Sequence, residues 1–470
     1  MFIKQLYTGC LSEAAYYVES NGEIAIIDPL RDINPYLELA NERKARIKYI
    51  FETHFHADFV SGHIDLSKIT GAPIIFGPGT ETKFPAHIAK DGEIFKIGEL
   101  TIEVMHTPGH TLESSCYLLK DAIKKDFCVF TGDTLFVGDV GRPDLAQKDA
   151  ELTMGDLAGM MYDSIKKKIF PLADDVIVYP AHGPGSSCGK NLGPSTYSTI
   201  GEEKKYNYAL KANTKEEFIK EVTEGIAPPP QYFPINAKIN KEGYESIDDV
   251  LEKGMKALSV SEFKKIIRDE NVIILDTRRA EEFTQGFVPG SISIGLEGRF
   301  AEWAGSLLSF DQPIVLVTEP GKEKESIIRL ARVGFDKVKG YLEGGYESWK
   351  KAGEESDMII DVEPDELMMD IPHDKNLVIL DVRKHTEFSD GHLRNAVTFP
   401  LNEMIDPGSM ANIDENKNLY VHCGGGYRSV IAASLLKRQG IHNLRNILGG
   451  WDKIKTLENA EIVKEESMLN

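Results

Sequence analysis

Two stretches of this chain carry residue types that do chemistry at telling spacings. The first is His54-Phe55-His56-Ala57-Asp58, followed at a distance by His106-Thr107-Pro108-Gly109-His110, by Gly132-Asp133 and by Tyr179-Pro180-Ala181-His182. Imidazole and carboxylate together suit divalent transition metals. Any one of these histidines alone reads as an ordinary loop or core residue; the ordered set of four segments reads as a metal centre. Position 59 is Phe, and a ring without a lone pair cannot ligate. The second stretch is His422-Cys423-Gly424-Gly425-Gly426-Tyr427-Arg428-Ser429, between a β run and an apolar helix. A cysteine in that place has its thiolate stabilised by backbone N–H groups and by the helix N-terminus. Gly424, Gly425 and Gly426 allow tight backbone curvature, Tyr427 opens the helix, and Arg428 adds positive charge. The same cradle stabilises a cysteine persulfide.

Both stretches need rigid elements to position them. Ile24–Asp28 reads as a buried strand, Tyr49–Phe51 leads into the histidine cluster, and Phe127–Phe130 leads into Asp133. Ligands at strand ends on one rim are what a sandwich needs to assemble a site from distant segments. Residues 1–235 therefore read as one domain. Ala227–Pro234 is proline-rich and extended, and 236–257 reads as linker, with a weak helix or further linker over 241–254. Beyond it lies an internal repeat: IILDTRRAEEFTQGFVPGSISI at 273–294 matches VILDVRKHTEFSDGHLRNAVTF at 378–399, offset by 105 positions. Each copy alternates strands with helices, which predicts parallel sheets in two α/β domains, 258–355 and 360–465. By the same offset Cys423 corresponds to Thr318, which cannot form a persulfide. Pro320 removes a backbone donor there, and Glu319 and Glu323 repel an anion. The first copy thus reads as structural.

Bulk properties narrow the partners. With 470 residues the chain is too long for one ordinary core. The formal charge of −20 argues against nucleic acid and against an anionic membrane surface. No apolar run reaches the ~20 residues of a membrane helix. The N-terminal stretch lacks the charged-then-apolar pattern of a secretion signal. The five cysteines are scattered and odd in number, as expected in a reducing cytoplasm.

On these motifs the first half resembles the metallo-β-lactamase fold, an αββα sandwich, and within it the persulfide dioxygenases related to glyoxalase II. Gly138-Asp139-Val140-Gly141-Arg142-Pro143-Asp144 resembles a segment of those dioxygenases. The resemblance implies one Fe(II) held by His54, His110 and Asp133. It leaves His56, Asp58 and His182 to orient ligands and water or to form a weaker second metal site, and it gives Arg142 to the anionic part of the substrate. A two-histidine, one-carboxylate face leaves open positions for a sulfur and for O2. The alternative is a zinc hydrolase of glyoxalase II type. The glycine-rich Gly183–Lys190 departs from the family's glutathione-contacting pattern and brings Cys188 forward as a substrate contact. The loop at Cys423, with Asp381-Val382-Arg383, Glu387 and Gly391-His392 upstream, resembles rhodanese. The expectation is a bifunctional, homo-oligomeric enzyme. Its iron site would oxidise a low-molecular-weight thiol persulfide (of coenzyme A, glutathione or another thiol) with O2 to sulfite. Its Cys423 would exchange sulfane sulfur with sulfite or thiosulfate.

Overall fold

Alternation along the strand Glu13–Ser20 sets the layering of the first half. Ala14, Tyr16 and Val18 point into one apolar cluster, while Ala15 and Tyr17 point into another. Such a strand is covered on both faces. The computed structural model describes residues 1–146, 152–405, 407–410 and 413–465. It divides into two compact units, Met1–Ile247 with Ala331–Gly334, and Asp248–Leu330 with Phe335 onward.

In the first unit, one six-stranded sheet runs in the order Phe2–Thr8, Glu13–Ser20, Glu23–Ile27, Arg46–Phe51, Ile74–Phe76, His87–Ile88. A second runs Ser198–Thr199, Ile177–Pro180, Asp126–Gly132, Ser115–Lys120, Leu100–His106, Ile94–Ile97. Ala14, Tyr16, Ile27 and Phe51 of one sheet share a core with Ile102, Val104, Tyr117 and Phe130 of the other. The outer face of the first sheet packs on helices Asn34–Arg43 and His63–Thr70 through Tyr36, Ala40 and Leu66. That of the second packs on Met154–Ser164 and Lys215–Thr223 through Ala158, Met161, Phe218 and Val222. This is the expected αββα sandwich.

The second unit repeats one plan. Its first sheet orders Ala257–Leu258, Val338–Leu342, Ile314–Val317, Ile273–Asp276, Ile292–Ser293, and its second orders Ile360–Val362, Leu444–Ile447, Asn418–His422, Leu377–Asp381, Val397–Thr398. Every pairing in both is parallel. The register keeps the offset read from sequence: Asp276 pairs with Val317 and Asp381 with His422. In each copy an arginine clamps the aspartate that ends the second strand, Arg278 on Asp276 and Arg383 on Asp381, both at 2.6 Å.

The segment read as linker is structured instead. Phe233–Glu242 and Ile247–Gly254 are helices, and the first unit extends through Ile247. The reason is Asn240, buried in the loop that follows the histidine cluster. It accepts from Ser61 N at 2.9 Å and donates to the carbonyls of His56 at 2.8 Å and Phe59 at 2.7 Å. Proline composition marked where the chain extends but gave no hint of this polar plug.

Below the cluster, His63 lies among Phe76, Phe84 and Tyr244, with Nδ1 3.1 Å from Glu52. Burial holds its imidazole down at about 3, helped by the neighbouring His56. That value lies below the ~6.5 of a free histidine, so the unfolded chain takes up a proton that the folded chain refuses. The contribution to stability is complete above pH ~6.5 and is lost as pH falls toward 3, at about 1.4 kcal/mol per pH unit. In metal-free protein, His63→Phe should flatten the unfolding free energy between pH ~6.5 and 5 by about that slope, read from denaturant titrations. Asn240→Ala strands three buried backbone groups and should destabilise the first unit by roughly 2–4 kcal/mol, seen as a lower first thermal transition.

Candidate functional site

Three strand ends deliver the metal-type residues. His54 follows Arg46–Phe51, His110 follows Leu100–His106, and Asp133 follows Asp126–Gly132. Gly132 has φ +52, and a Cβ there would lie 2.6 Å from Thr53 Oγ1, so only glycine lets the Asp133 turn approach the His54 turn. His110 Nε2 lies 3.3 Å and His54 Nε2 3.7 Å from Asp133 Oδ2. The three donor atoms lie within 4.8 Å of one another, and all three residues are buried. His110 Nε2 and Asp133 Oδ2 are enclosed without a hydrogen-bond partner among the described residues. Burying such groups unpaired is costly. Converging on one point, they fit a divalent cation.

The tautomers agree. Thr53 N and Oγ1 both donate to the carboxylate of Asp28, at 2.7 and 2.9 Å. The Thr53 oxygen must then accept from His54 Nδ1 at 2.9 Å, which leaves the Nε2 lone pair for a metal. His110 Nδ1, 2.8 Å from the carbonyl of Arg142, can only donate, with the same consequence. Burial, then the neighbouring His56, holds His54 well below the usual imidazole range, so it stays neutral. Burial pushes Asp133 upward, but His182, which also hydrogen-bonds it, outweighs burial and keeps it ionised. Gly141 is required at the back, because a Cβ there would meet Asp133 O at 2.0 Å and His110 Nδ1 at 2.9 Å.

His182 stands between two carboxylates, with Nδ1 2.8 Å from Asp133 Oδ1 and Nε2 2.7 Å from Asp58 Oδ2. Burial opposes its charge, but Asp133 and Asp58 together raise it well above the usual range, so it is an imidazolium. Asp58 Oδ1 remains buried without a hydrogen-bond partner among the described residues. Asp58, His182 and Cys188 form a second group whose donor atoms lie within 4.8 Å. The Cys188 thiol is pushed up, first by burial and then by Asp58 and Asp133, so it stays protonated at neutral pH.

His56 turns the other way. Its Nε2 lies 3.1 Å from Asp28 and 3.6 Å from Glu52, and its ring stacks on Phe59 at 4.3 Å. Phe59 is fully buried; where a histidine would ligate, it packs. Sequence reading passed over Asp28, Glu52 and Thr53 as site residues. For Asp28 and Glu52 the signal was an acidic residue ending an apolar run.

The anion contact expected of Arg142 meets a different geometry. Its guanidinium pairs with Asp144 at 2.7 and 2.8 Å and donates to the carbonyls of Ser187 and Ala227 at 3.1 and 2.6 Å. Its charge is therefore spent on Asp144. Its backbone serves the site, through O to His110 and through N to Cys188 O at 2.8 Å.

In the second unit, Cys423 ends the strand Asn418–His422, and Gly426, with φ +112, turns the chain into helix Tyr427–Arg438. Gly426 N donates to Cys423 Sγ at 3.2 Å, and the thiol points to Ser429 Oγ at 3.7 Å. Arg428 reaches Glu387 with both terminal nitrogens, at 2.6 and 2.8 Å. A Cβ at Gly450 would meet Cys423 O at 2.4 Å, and one at Gly345 would meet Thr318 O at 2.5 Å. The loop's foundation is thus the same in both copies, while the loop residues themselves differ: Thr318, Glu319, Pro320 and Glu323 stand where the second copy has Cys423, Gly424, Gly425 and Arg428.

The comparisons agree with this division. The metallo-beta-lactamase superfamily model matches residues 8–182, and the rhodanese-like domain model matches 259–352 and 363–457. The human "Persulfide dioxygenase ETHE1, mitochondrial" is 31% identical over 220 residues, covering 46% of this chain and 78% of that protein. A "Probable hydroxyacylglutathione hydrolase glo2" of Schizosaccharomyces pombe is 31% identical over 206 residues, covering 39% and 75%. A solved metallo-beta-lactamase structure from Staphylococcus aureus matches with TM-score 0.65 and 32% identity, over 73% of this chain and 98% of that one. With its sandwich, strand-end cluster and duplicated parallel-sheet domain, this chain belongs to the metallo-beta-lactamase superfamily and carries two rhodanese-like domains.

Proposed function

We propose that the chain is a bifunctional sulfur-oxidising enzyme. Its first site oxidises a low-molecular-weight thiol persulfide, RSSH + O2 + H2O giving RSH, sulfite and two protons. Its second site moves sulfane sulfur through Cys423 to sulfite, giving thiosulfate, or in the reverse direction. The observation that carries the first half is the pair of buried, unpartnered atoms His110 Nε2 and Asp133 Oδ2 facing His54. Two imidazoles and one carboxylate would hold a single iron(II), which supplies a redox centre with open positions for a sulfur and for O2.

The protein's own groups define what that face offers. His182 occupies Asp133 Oδ1, so only Oδ2 is available to a metal. Thr53 and the Arg142 carbonyl fix both imidazoles. Phe59 puts apolar surface where a nitrogen would complete a second site. At the other site Gly426 N and the helix behind it stabilise negative charge on Cys423 Sγ, and then on the outer sulfur of its persulfide. Thr318 and Glu323 leave the first copy without a nucleophile or a cation at the matching positions.

A second reading has support in Asp58 and His182, with Cys188 beside them, and in the similarity to a hydrolase. On that reading these residues would help hold zinc, which would supply Lewis-acid chemistry for the hydrolysis of a thioester. Metal analysis of protein purified without oxygen separates the two. One iron per chain with O2 uptake on a persulfide is expected; two zinc and thioester cleavage without uptake would sink the first reading.

His110→Ala should lose the metal and lower O2 uptake at least about 100-fold, with sulfur loading of Cys423 retained. Cys423→Ser should leave O2 uptake unchanged and stop thiosulfate formation. If uptake stopped as well, with metal and fold intact, the two-site scheme would be wrong.

A further inference from the structure

A cavity of about 300 Å3 lies between the two rhodanese-like copies, beside the Cys423 loop. The first copy supplies Arg279, Glu281 and Glu297, and the second supplies Asp361, Asn446 and Gly426. Its size is at the small end for ligand pockets, enough for a short thiol carrier. It is wired to the nucleophile. Cys423 Sγ points to Ser429 Oγ at 3.7 Å, Ser429 Oγ donates to Asn446 Oδ1 at 2.7 Å, and Asn446 Nδ2 donates to Asp361 Oδ1 at 2.8 Å. Asp361 Oδ2 accepts from Thr284 of the first copy at 2.6 Å. The rim is open: a Cβ at Gly425 or Gly426 would meet no protein atom closer than 3.9 Å.

The charge of this cavity does not suit an inorganic anion. Glu281, Glu297 and Asp361 stand against Arg279 alone. Arg279 pairs with Glu297, but both are more than half exposed, at 57 and 66%, so that pair is weak and Arg279 can turn to a ligand. The Glu281 carboxylate makes no hydrogen bond or ion pair among the described residues; only its backbone carbonyl is engaged, by Thr284 Oγ1 at 3.2 Å, and its charge acts on Arg279. The loop's own cation, Arg428, is held bidentately by Glu387. What complements two excess carboxylates and one available guanidinium is a ligand with an ammonium group and one carboxylate.

We infer that this cavity binds the carrier end of the sulfur donor, and that the donor is a thiol persulfide with an amino-acid head. Its ammonium faces Glu281 and Asp361, and its carboxylate faces Arg279. The copy without a nucleophile thereby supplies donor specificity to the copy that has one. This rests on Cys423 being a sulfur acceptor. In the transfer, Cys423 Sγ attacks the outer sulfur of RSSH. The donor's S–S bond breaks as the new one forms, and the electron pair leaves on the carrier as RS−. That thiolate takes the proton given up by Cys423. The products are Cys423–SSH and RSH, with no net oxidation.

The test uses the full-length protein without O2, so that the first site is idle, and reads the Cys423 persulfide by mass spectrometry after rapid mixing. The donors are the persulfides of cysteine, glutathione, N-acetylcysteine and coenzyme A. Cysteine or glutathione persulfide should half-saturate at about tenfold lower concentration than N-acetylcysteine persulfide, which lacks only the ammonium. Whichever of the two leads identifies the head. Glu281→Gln, at an exposed position, should shrink the cysteine to N-acetylcysteine ratio, and Arg279→Gln should weaken both without changing it. Equal loading by free and acetylated donors, or tightest loading by coenzyme A persulfide, overturns the inference while leaving Cys423 a sulfur acceptor. No loading by any donor overturns that underlying reading, and the inference with it.

Discussion

The first unit depends on how one carboxylate is shared. Asp133 gives Oδ1 to His182 and leaves Oδ2 to face His54 and His110. Every neighbouring constraint serves that division. Asp58 holds the far nitrogen of His182. Gly132 and Gly141 clear the space that brings Asp133 against the other loops. The Arg142 carbonyl and the Thr53 hydroxyl set the two imidazole tautomers. An imidazolium beside one oxygen also stabilises the ionised carboxylate in a buried place, where desolvation would otherwise neutralise it.

Around this centre the buried polar groups fall into two sets separated by Phe59. On one side Asp58, His182 and Cys188 gather; on the other Asp28, Glu52 and His56. The Phe59 ring stacks on His56 and meets His182 edge-on at 6.4 Å. A single aromatic substitution thus turns what could be a continuous ligand belt into one complete face and two flanking groups. The helix Phe233–Glu242 secures the loop that presents Phe59, through Asn240. A segment remote in sequence therefore holds part of the site in place.

The duplicated half carries two different loops on one scaffold. Both copies keep the aspartate–arginine clamp and the glycine beneath the loop. Thr318 stands where the second copy has Cys423, and Glu323 where it has Arg428. The first copy packs on the helix that follows the Cys423 loop: Tyr427 Oη donates to Gly295 O at 2.8 Å, and Ser293 N donates to Ser434 Oγ at 3.0 Å.

Residue type and spacing determined by themselves the strand-end histidines and aspartates, the cysteine cradle, the repeat and the parallel sheets. These depend on local pattern: alternating burial, helix start signals and a fixed offset are written into adjacent positions. The roles of Arg142, Cys188 and the supposed linker were not legible in that way. Whether a guanidinium is free or spent depends on Asp144 and on the carbonyls of Ser187 and Ala227. Whether a thiol is reactive depends first on its burial and then on two carboxylates brought from elsewhere. Asp28, Glu52 and Asn240 joined the site only in three dimensions. Hydrogen bonds and desolvation act through space over a few ångströms, so the sequence determined which groups exist, and the tertiary structure alone decided which of them meet.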